Sequence, residues 1–170
     1  VAAYDSGSDE SWVSDQLTVV PQSVPTSLSY AVQPAGATAG AGFTTQSVVH
    51  IKDLDGTTVI SATNSVTLSI TSGTGTSGAT LIGTATVSAV NGVATFSGLQ
   101  INTLGTGYTL TATSSGLTSA ASSAFNVSAG AASNLVITSE PSTTVSGDAF
   151  SVQPVVQIKD AYGNVVTSSS

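Results

Sequence analysis

Few side chains in this chain could carry covalent chemistry. There is no cysteine and one histidine, His50. Nucleophilic catalysis needs a base beside the nucleophile, and His50 is the sole base of that type. It stands in an alternating apolar run, and Gln157 takes its place in a second copy of that run. A solvated strand histidine is therefore the expectation. Asp53-x-Asp55-Gly56 resembles the first half of a calcium loop. Calcium takes roughly six to eight oxygens, further carboxylates among them. No bidentate Glu follows here, and the second copy has Tyr162 where Asp55 stands. A turn in which Asp53 bonds the local backbone is expected instead. Calcium shared between units could draw on Asp5, Asp9, Glu10 or Asp15. No other cofactor is suggested.

Three further positions invite a chemical reading. A Lys–Asn isopeptide crosslink at Lys52 or Lys159 would need a buried acid beside the pair. The only acids in that part of the chain, Asp53 and Asp55, adjoin the lysine at a turn. Asn126-Val127-Ser128 is the one N-x-S/T glycan acceptor pattern. Asn126 alternates to the outside between Phe125 and Val127, and exposed Ser and Thr are open to O-glycans. Trp12 is the sole tryptophan. It suits packing at a junction with a neighbouring unit or subunit; a carbohydrate-stacking platform is the alternative.

The balance of charge excludes other classes. The 170 residues carry a net charge of −7, with Lys52 and Lys159 as the only basic side chains. Binding nucleic acid requires cations that displace phosphate counterions, so no nucleic-acid partner is expected. An anionic membrane surface is disfavoured for the same reason. No apolar run is long enough to span a bilayer, and no direct membrane insertion is expected. Charged residues make up 6%, where about 25% is usual. The surface must then be built from Ser, Thr, Gly, Ala and Asn. That composition suggests an exported protein. The opening Val-Ala-Ala, with no signal-peptide pattern, reads as a mature or excerpted chain.

Sliding the chain along itself yields its strongest pattern. At an offset of 107, Leu28, Pro34, Gly40, Phe43, Gln46, Val48, Val49, Ile51, Lys52, Asp53, Gly56 and Val59 each meet an identical residue. Those are twelve of the thirty-two positions from Leu28 to Val59, with no gap. Leu17-Thr18-Val19-Val20, followed by a loop into Leu28, matches Phe125-Asn126-Val127-Ser128, followed by a loop into Leu135. Three segments are expected: 1–20, an acidic stretch ending in a closing or donor strand; 21–130, a complete unit; and 131–170, the first strands of a second. A third of a sandwich cannot bury its own apolar face. Either the natural chain continues past Ser170 or another chain supplies the missing strands.

The complete unit reads as short strands between turns. Leu28-Tyr30-Val32, Val49-Ile51 and Val66-Leu68-Ile70 alternate. A loosely patterned strand follows from Leu81 to Val90. Asn91-Gly92 is a hairpin signal. Ala94 and Phe96 come next, then one strand carrying Tyr108, Leu110 and Ala112, and a last one carrying Phe125 and Val127. Seven or so strands in such a unit predict an all-β, immunoglobulin-like β-sandwich. Tyr108, after the Gly105-Thr106-Gly107 corner, is either a tyrosine corner or an ordinary core tyrosine.

Val48–Gly56 and Val155–Asn164 resemble the opening of bacterial Ig-like repeats of the invasin/intimin type. Asn91-Gly92-Val93-Ala94-Thr95-Phe96 and Gly107-Tyr108-Thr109-Leu110-Thr111-Ala112 resemble that family's closing half. The resemblance implies tandem sandwiches that act as stalks and spacers of cell-surface adhesins, fibres and surface layers, without catalytic residues. The expected function is a non-enzymatic, extracellular structural one, the partners being neighbouring repeats or further copies of the same protein. Strand donation would then involve Trp12, Leu17 and Val19. An adhesin module that binds a glycan or host receptor is the alternative. A spacer attached to an enzyme is a third reading.

Overall fold

The structure is a computed structural model that describes residues 23–167. Trp12, Leu17, Val19 and the expected donor strand lie outside the described residues. Among those described there is no helix, and the chain is all-β. Twelve strands run in the order β1 (Ser27–Val32), β2 (Ala37–Thr38), β3 (Val48–Lys52), β4 (Ser65–Ile70), β5 (Thr86–Ser88), β6 (Val93–Thr95), β7 (Gly105–Tyr108), β8 (Leu110–Thr113), β9 (Ala120–Ala121), β10 (Phe125–Ser128), β11 (Ala132–Ser139) and β12 (Val155–Asp160). Three sheets, ordered β1-β3-β6, β2-β10-β7 and β5-β4-β8-β9, are built from residues 27–128. All pairings are antiparallel except β2 with β10. The fourth sheet is the β11-β12 hairpin alone.

Alternation explains where the core lies. Successive strand side chains point to opposite faces. Leu28 on β1, Val49 and Ile51 on β3, Val66 and Leu68 on β4, and Leu110 and Ala112 on β8 meet in one buried cluster with Phe43, Phe96 and Tyr108. The outer face of the β5-β4-β8 sheet carries hydroxyls that bond across strands, as in Thr67 with Thr86 at 2.9 Å and Thr71 with Thr111 at 2.7 Å. A charge-poor surface thus meets its polar needs with Ser and Thr.

Two expectations need correction. The strand expected from Leu81 to Val90 narrows to β5, Thr86–Ser88. Gly83 delays its start: its φ is +105°, and an added Cβ would lie 2.2 Å from the Gly98 carbonyl oxygen. The single strand expected through Tyr108, Leu110 and Ala112 is two strands. β7 pairs with β10, whereas β8 pairs with β4, so the chain changes sheets at Thr109. The Asn91-Gly92 turn forms as expected. Both residues have positive φ, 52° and 75°, and Val90 and Val93 exchange backbone bonds across it. Its arms then separate, β5 joining β4 and β6 joining β3.

The twelve recurring residues have structural counterparts. In β1-β3, Leu28 faces Ile51 and Tyr30 faces Val49; in β11-β12, Leu135 faces Ile158 and Ile137 faces Val156. Both hairpins shift register near the same point. Phe43 and Phe150 each pass a carbonyl to a glutamine amide, at 2.9 Å from Gln46 and 2.8 Å from Gln153. Burial separates the two copies. Leu28 is 5% exposed and Val49 0%, whereas Leu135 is 74% and Val156 51% exposed.

This contrast sets a test. Leu28→Ala should cost about 2–5 kcal/mol, the range for truncating a packed leucine. Leu135→Ala should change stability by no more than about 0.5 kcal/mol. Urea unfolding of the two variants beside the parent chain measures both; equal losses would contradict the burial.

Candidate functional site

The best-organised polar group is the carboxylate of Asp160, at the end of β12. Asp and Asn in turns bond their own backbone two residues on. Asp160 Oδ1 accepts the N–H of Tyr162 and of Asn164, each at 2.9 Å. Gly163, with φ +84°, closes the turn through its N–H to the Asp160 carbonyl. Asp160 Oδ2 accepts the Asn164 Nδ2 at 2.8 Å and the Gly130 N–H at 2.9 Å. Gly130 precedes β11, so the turn after β12 grips the chain that enters the second copy.

Asn164 extends the grip to the first copy. Its Nδ2 also donates to the Asn102 carbonyl at 2.8 Å, and its Oδ1 accepts the Leu104 N–H at 2.9 Å. Asn102 in turn accepts the Gly40 N–H through Oδ1 at 3.1 Å. Tyr162 stacks close to Gly40, where an added Cβ would meet its ring at 2.5 Å. Together these contacts make a polar joint between the loops of residues 27–128 and the second hairpin.

Asp160 is a buried carboxylate, 1% exposed. Burial alone would raise its pKa. The hydrogen bonds from the Asn164 side chain, then from the Gly130, Asn164 and Tyr162 amides, outweigh it and hold the carboxyl below its ordinary value. The joint is therefore ionic on one side and dipolar on the other.

Asp53 repeats the arrangement at the matching turn. Its Oδ1 accepts the N–H of Asp55 at 3.1 Å and of Thr57 at 2.8 Å, and its Oδ2 takes a hydrogen bond from Ser23 Oγ. Ser23 stands 107 residues before Gly130. The same carboxylate thus holds the entry strand of both copies. Ser23, Thr57 and Asp55 together depress the Asp53 pKa, the Ser23 bond most. Thr57 occupies the Asn164 position and makes no reach to a preceding loop among the described residues.

Of the calcium candidates, Asp53 and Asp55 fall within this account, while Asp5, Asp9, Glu10 and Asp15 lie outside the described residues. The Asp53 carboxylate is occupied by the turn and by Ser23, and Asp55 is exposed. Among the described residues no three His, Cys, Asp or Glu side chains come together as a metal-binding group. His50 is half-buried, with Nδ1 3.3 Å from Thr58 Oγ1. Lys52 Nζ donates to the same hydroxyl at 2.9 Å. Burial and then the Lys52 charge hold the imidazole below its usual pKa. This His-Thr-Lys contact escaped the sequence reading, and the second copy, with Gln157 and Val165, lacks it. Among the described residues, the Lys52 ammonium bonds the Thr58 hydroxyl and no asparagine. Asn126 is exposed and accepts the Gly107 N–H through Oδ1 at 2.9 Å. Ser128 Oγ of the same sequon is 3.0 Å from Thr38 Oγ1.

Asn102, Gly130 and Asn164 were missed from sequence. The one available signal was the recurrence of Asp53 as Asp160, which was read as a local turn. No known protein family and no curated protein matches this chain.

The sign of the pH effect follows from the depressed Asp160 pKa. Its stabilisation of the joint is complete above the unfolded carboxyl value of about 3.9, and is lost as the pH falls through the lower folded value. A side-chain carboxyl NMR titration should show Asp160 titrating below the ordinary carboxylate range. Asp160→Ala should raise hydrogen exchange at Gly130, Tyr162 and Asn164 about tenfold or more at neutral pH, since bonds to charged acceptors are worth about 1.5–3 kcal/mol. Unchanged exchange would mean the carboxylate does not hold the joint.

Proposed function

We propose that this chain is a non-enzymatic, extracellular structural protein, a tandem unit of a cell-surface fibre, stalk or surface layer. Its repeats are read as Ig-like sandwiches of the invasin/intimin type. The single observation that carries the reading is the joint around Asp160. A carboxylate, a carboxamide and five backbone groups connect the loops of one repeat with the turn of the next. Such a joint resists bending because each bond has a fixed direction. A spacer needs that property more than it needs a pocket.

Other features agree. Tyr108 is fully buried, and its hydroxyl donates to the Thr103 carbonyl at 2.9 Å. A tyrosine that bonds back to the chain a few residues upstream is the corner of Ig-like folds. Phe125 packs on it, the ring centroids 6.0 Å apart, and on Phe43 at 5.3 Å. The uncharged hydroxyl face of the β5-β4-β8 sheet offers little repulsion to a neighbouring copy. Catalysis is not part of the reading: among the described residues His50, the one candidate base, contacts the Thr58 hydroxyl, and Gln157 takes its place in the second copy.

Electron microscopy of negatively stained protein tests the proposal. Extended rods or filaments are expected, at the cell surface when the same material is localised with antibody. Dispersed compact monomers across salt and calcium conditions would refute it.

A further inference from the structure

We propose that the open face and outer edge of the β11-β12 hairpin form an acceptor site, and that its occupant is a closing segment of the same repeat, a polypeptide with the residue pattern of 60–128. This deepens the tandem-repeat reading above and rests on it. The first hairpin shows what such an occupant must do. Beside β3 lies β6, with Val49 opposite Ala94 and His50 opposite Val93. The Ile51 N–H donates to the Gly92 carbonyl at 2.8 Å, and the Phe96 N–H donates to the Ser47 carbonyl at 3.0 Å. At the second hairpin, among the described residues, β12 pairs with β11 and at its end is bridged by Val165 and Val166, with no strand in the place of β6. Ile158 stands where Ile51 stands, and Val156 where Val49 stands.

The apolar face is open in the same way. Leu135, Ile137, Val156 and Phe150 are 74%, 52%, 51% and 43% exposed. Their counterparts in the first copy include Leu28, Val49 and Phe43, which are buried by the sheet that β4 and β8 form. An isolated two-stranded hairpin is marginal in water, so this face gains from a cover. The four residues named on it carry no charge to select a charged partner.

Gln153 supplies the specificity. In the first copy the Gln46 Nε2 donates to the Phe43 and Leu99 carbonyls, at 2.9 and 3.2 Å, and Gln46 Oε1 accepts the Leu99 N–H at 3.0 Å. The amide thereby holds both backbone groups of one residue in the closing segment. Gln153 already makes the local half of this clamp, to the Phe150 carbonyl. The other half has no occupant among the described residues. The acceptor therefore recognises a backbone N–H and C=O at the Leu99 position, then a strand set antiparallel to β12 with an alanine opposite Val156.

The test uses the whole 170-residue chain and a separate polypeptide of residues 60–129. One-to-one binding by calorimetry is expected, with protection from hydrogen exchange appearing at Val156 and Ile158. Ile137→Asp changes a half-exposed side chain, so the free chain should stay folded while binding falls at least tenfold. Gln153→Ala should weaken binding about tenfold. As a second arm, residues 60–129 are joined in cis after Val166, in place of residues 167–170; the same amides should become protected and Phe150 buried. Absence of binding, protection confined to Val49 and Ile51, or pairing of two hairpins that the fragment does not displace would each overturn the proposal. Binding without filaments would refute the structural role and leave the acceptor intact. Filaments in which Ile158 still exchanges freely would refute the acceptor alone.

Discussion

A β-hairpin with one apolar face has to hide that face, and most of this molecule exists to do so for β1 and β3. Removing apolar surface from water is worth about 25 cal/mol per Å², and no other favourable term here approaches it. The chain has almost no ion pairs to offer and no disulfide. β4 and β8 lie over Leu28, Val49 and Ile51, and the Phe43-Phe125-Tyr108 stack closes one end. The second hairpin carries the same pattern with no such cover. Its geometry nonetheless reproduces that of the first, bond for bond at the Asp160 turn and register for register along the strands. Local rules therefore shape the hairpin, and the cover supplies burial.

The two carboxylates show how a local turn becomes a joint. Asp53 and Asp160 each use one oxygen for the turn and the other for the incoming chain. At the second site Asn164 adds a carboxamide that reaches the loop of Asn102 and Leu104. The position holds Thr57 in the first copy. The cost of burying a carboxylate is offset by directed N–H groups.

Much of the fold was legible in the residues. Alternation identified β1, β3, β4 and β10, and the Asn91-Gly92 turn followed from two residues that tolerate positive φ. The offset of 107 anticipated a second hairpin with the register of the first. Less of the site was legible. Asp53 and Asp160 were recognisable as turn residues, but Asn102 and Asn164 lie 62 residues apart and meet only through the fold. The His50-Thr58-Lys52 contact was missed because Thr58 belongs to the stretch beyond the turn, which folds back beside β3.

By itself the amino-acid order settled the strand class, the repeat and the poverty of reactive groups, because these depend on side-chain period, self-similarity and residue type. Tertiary structure alone decided that Tyr108 and Leu110 belong to different sheets, that β5 and β6 part company after their turn, and that a turn carboxylate grips the entry of each copy. A two-residue period tells which side of a strand is buried; it says nothing of which strand lies alongside. That choice is made by backbone hydrogen bonds between distant segments, and no local pattern encodes their partner.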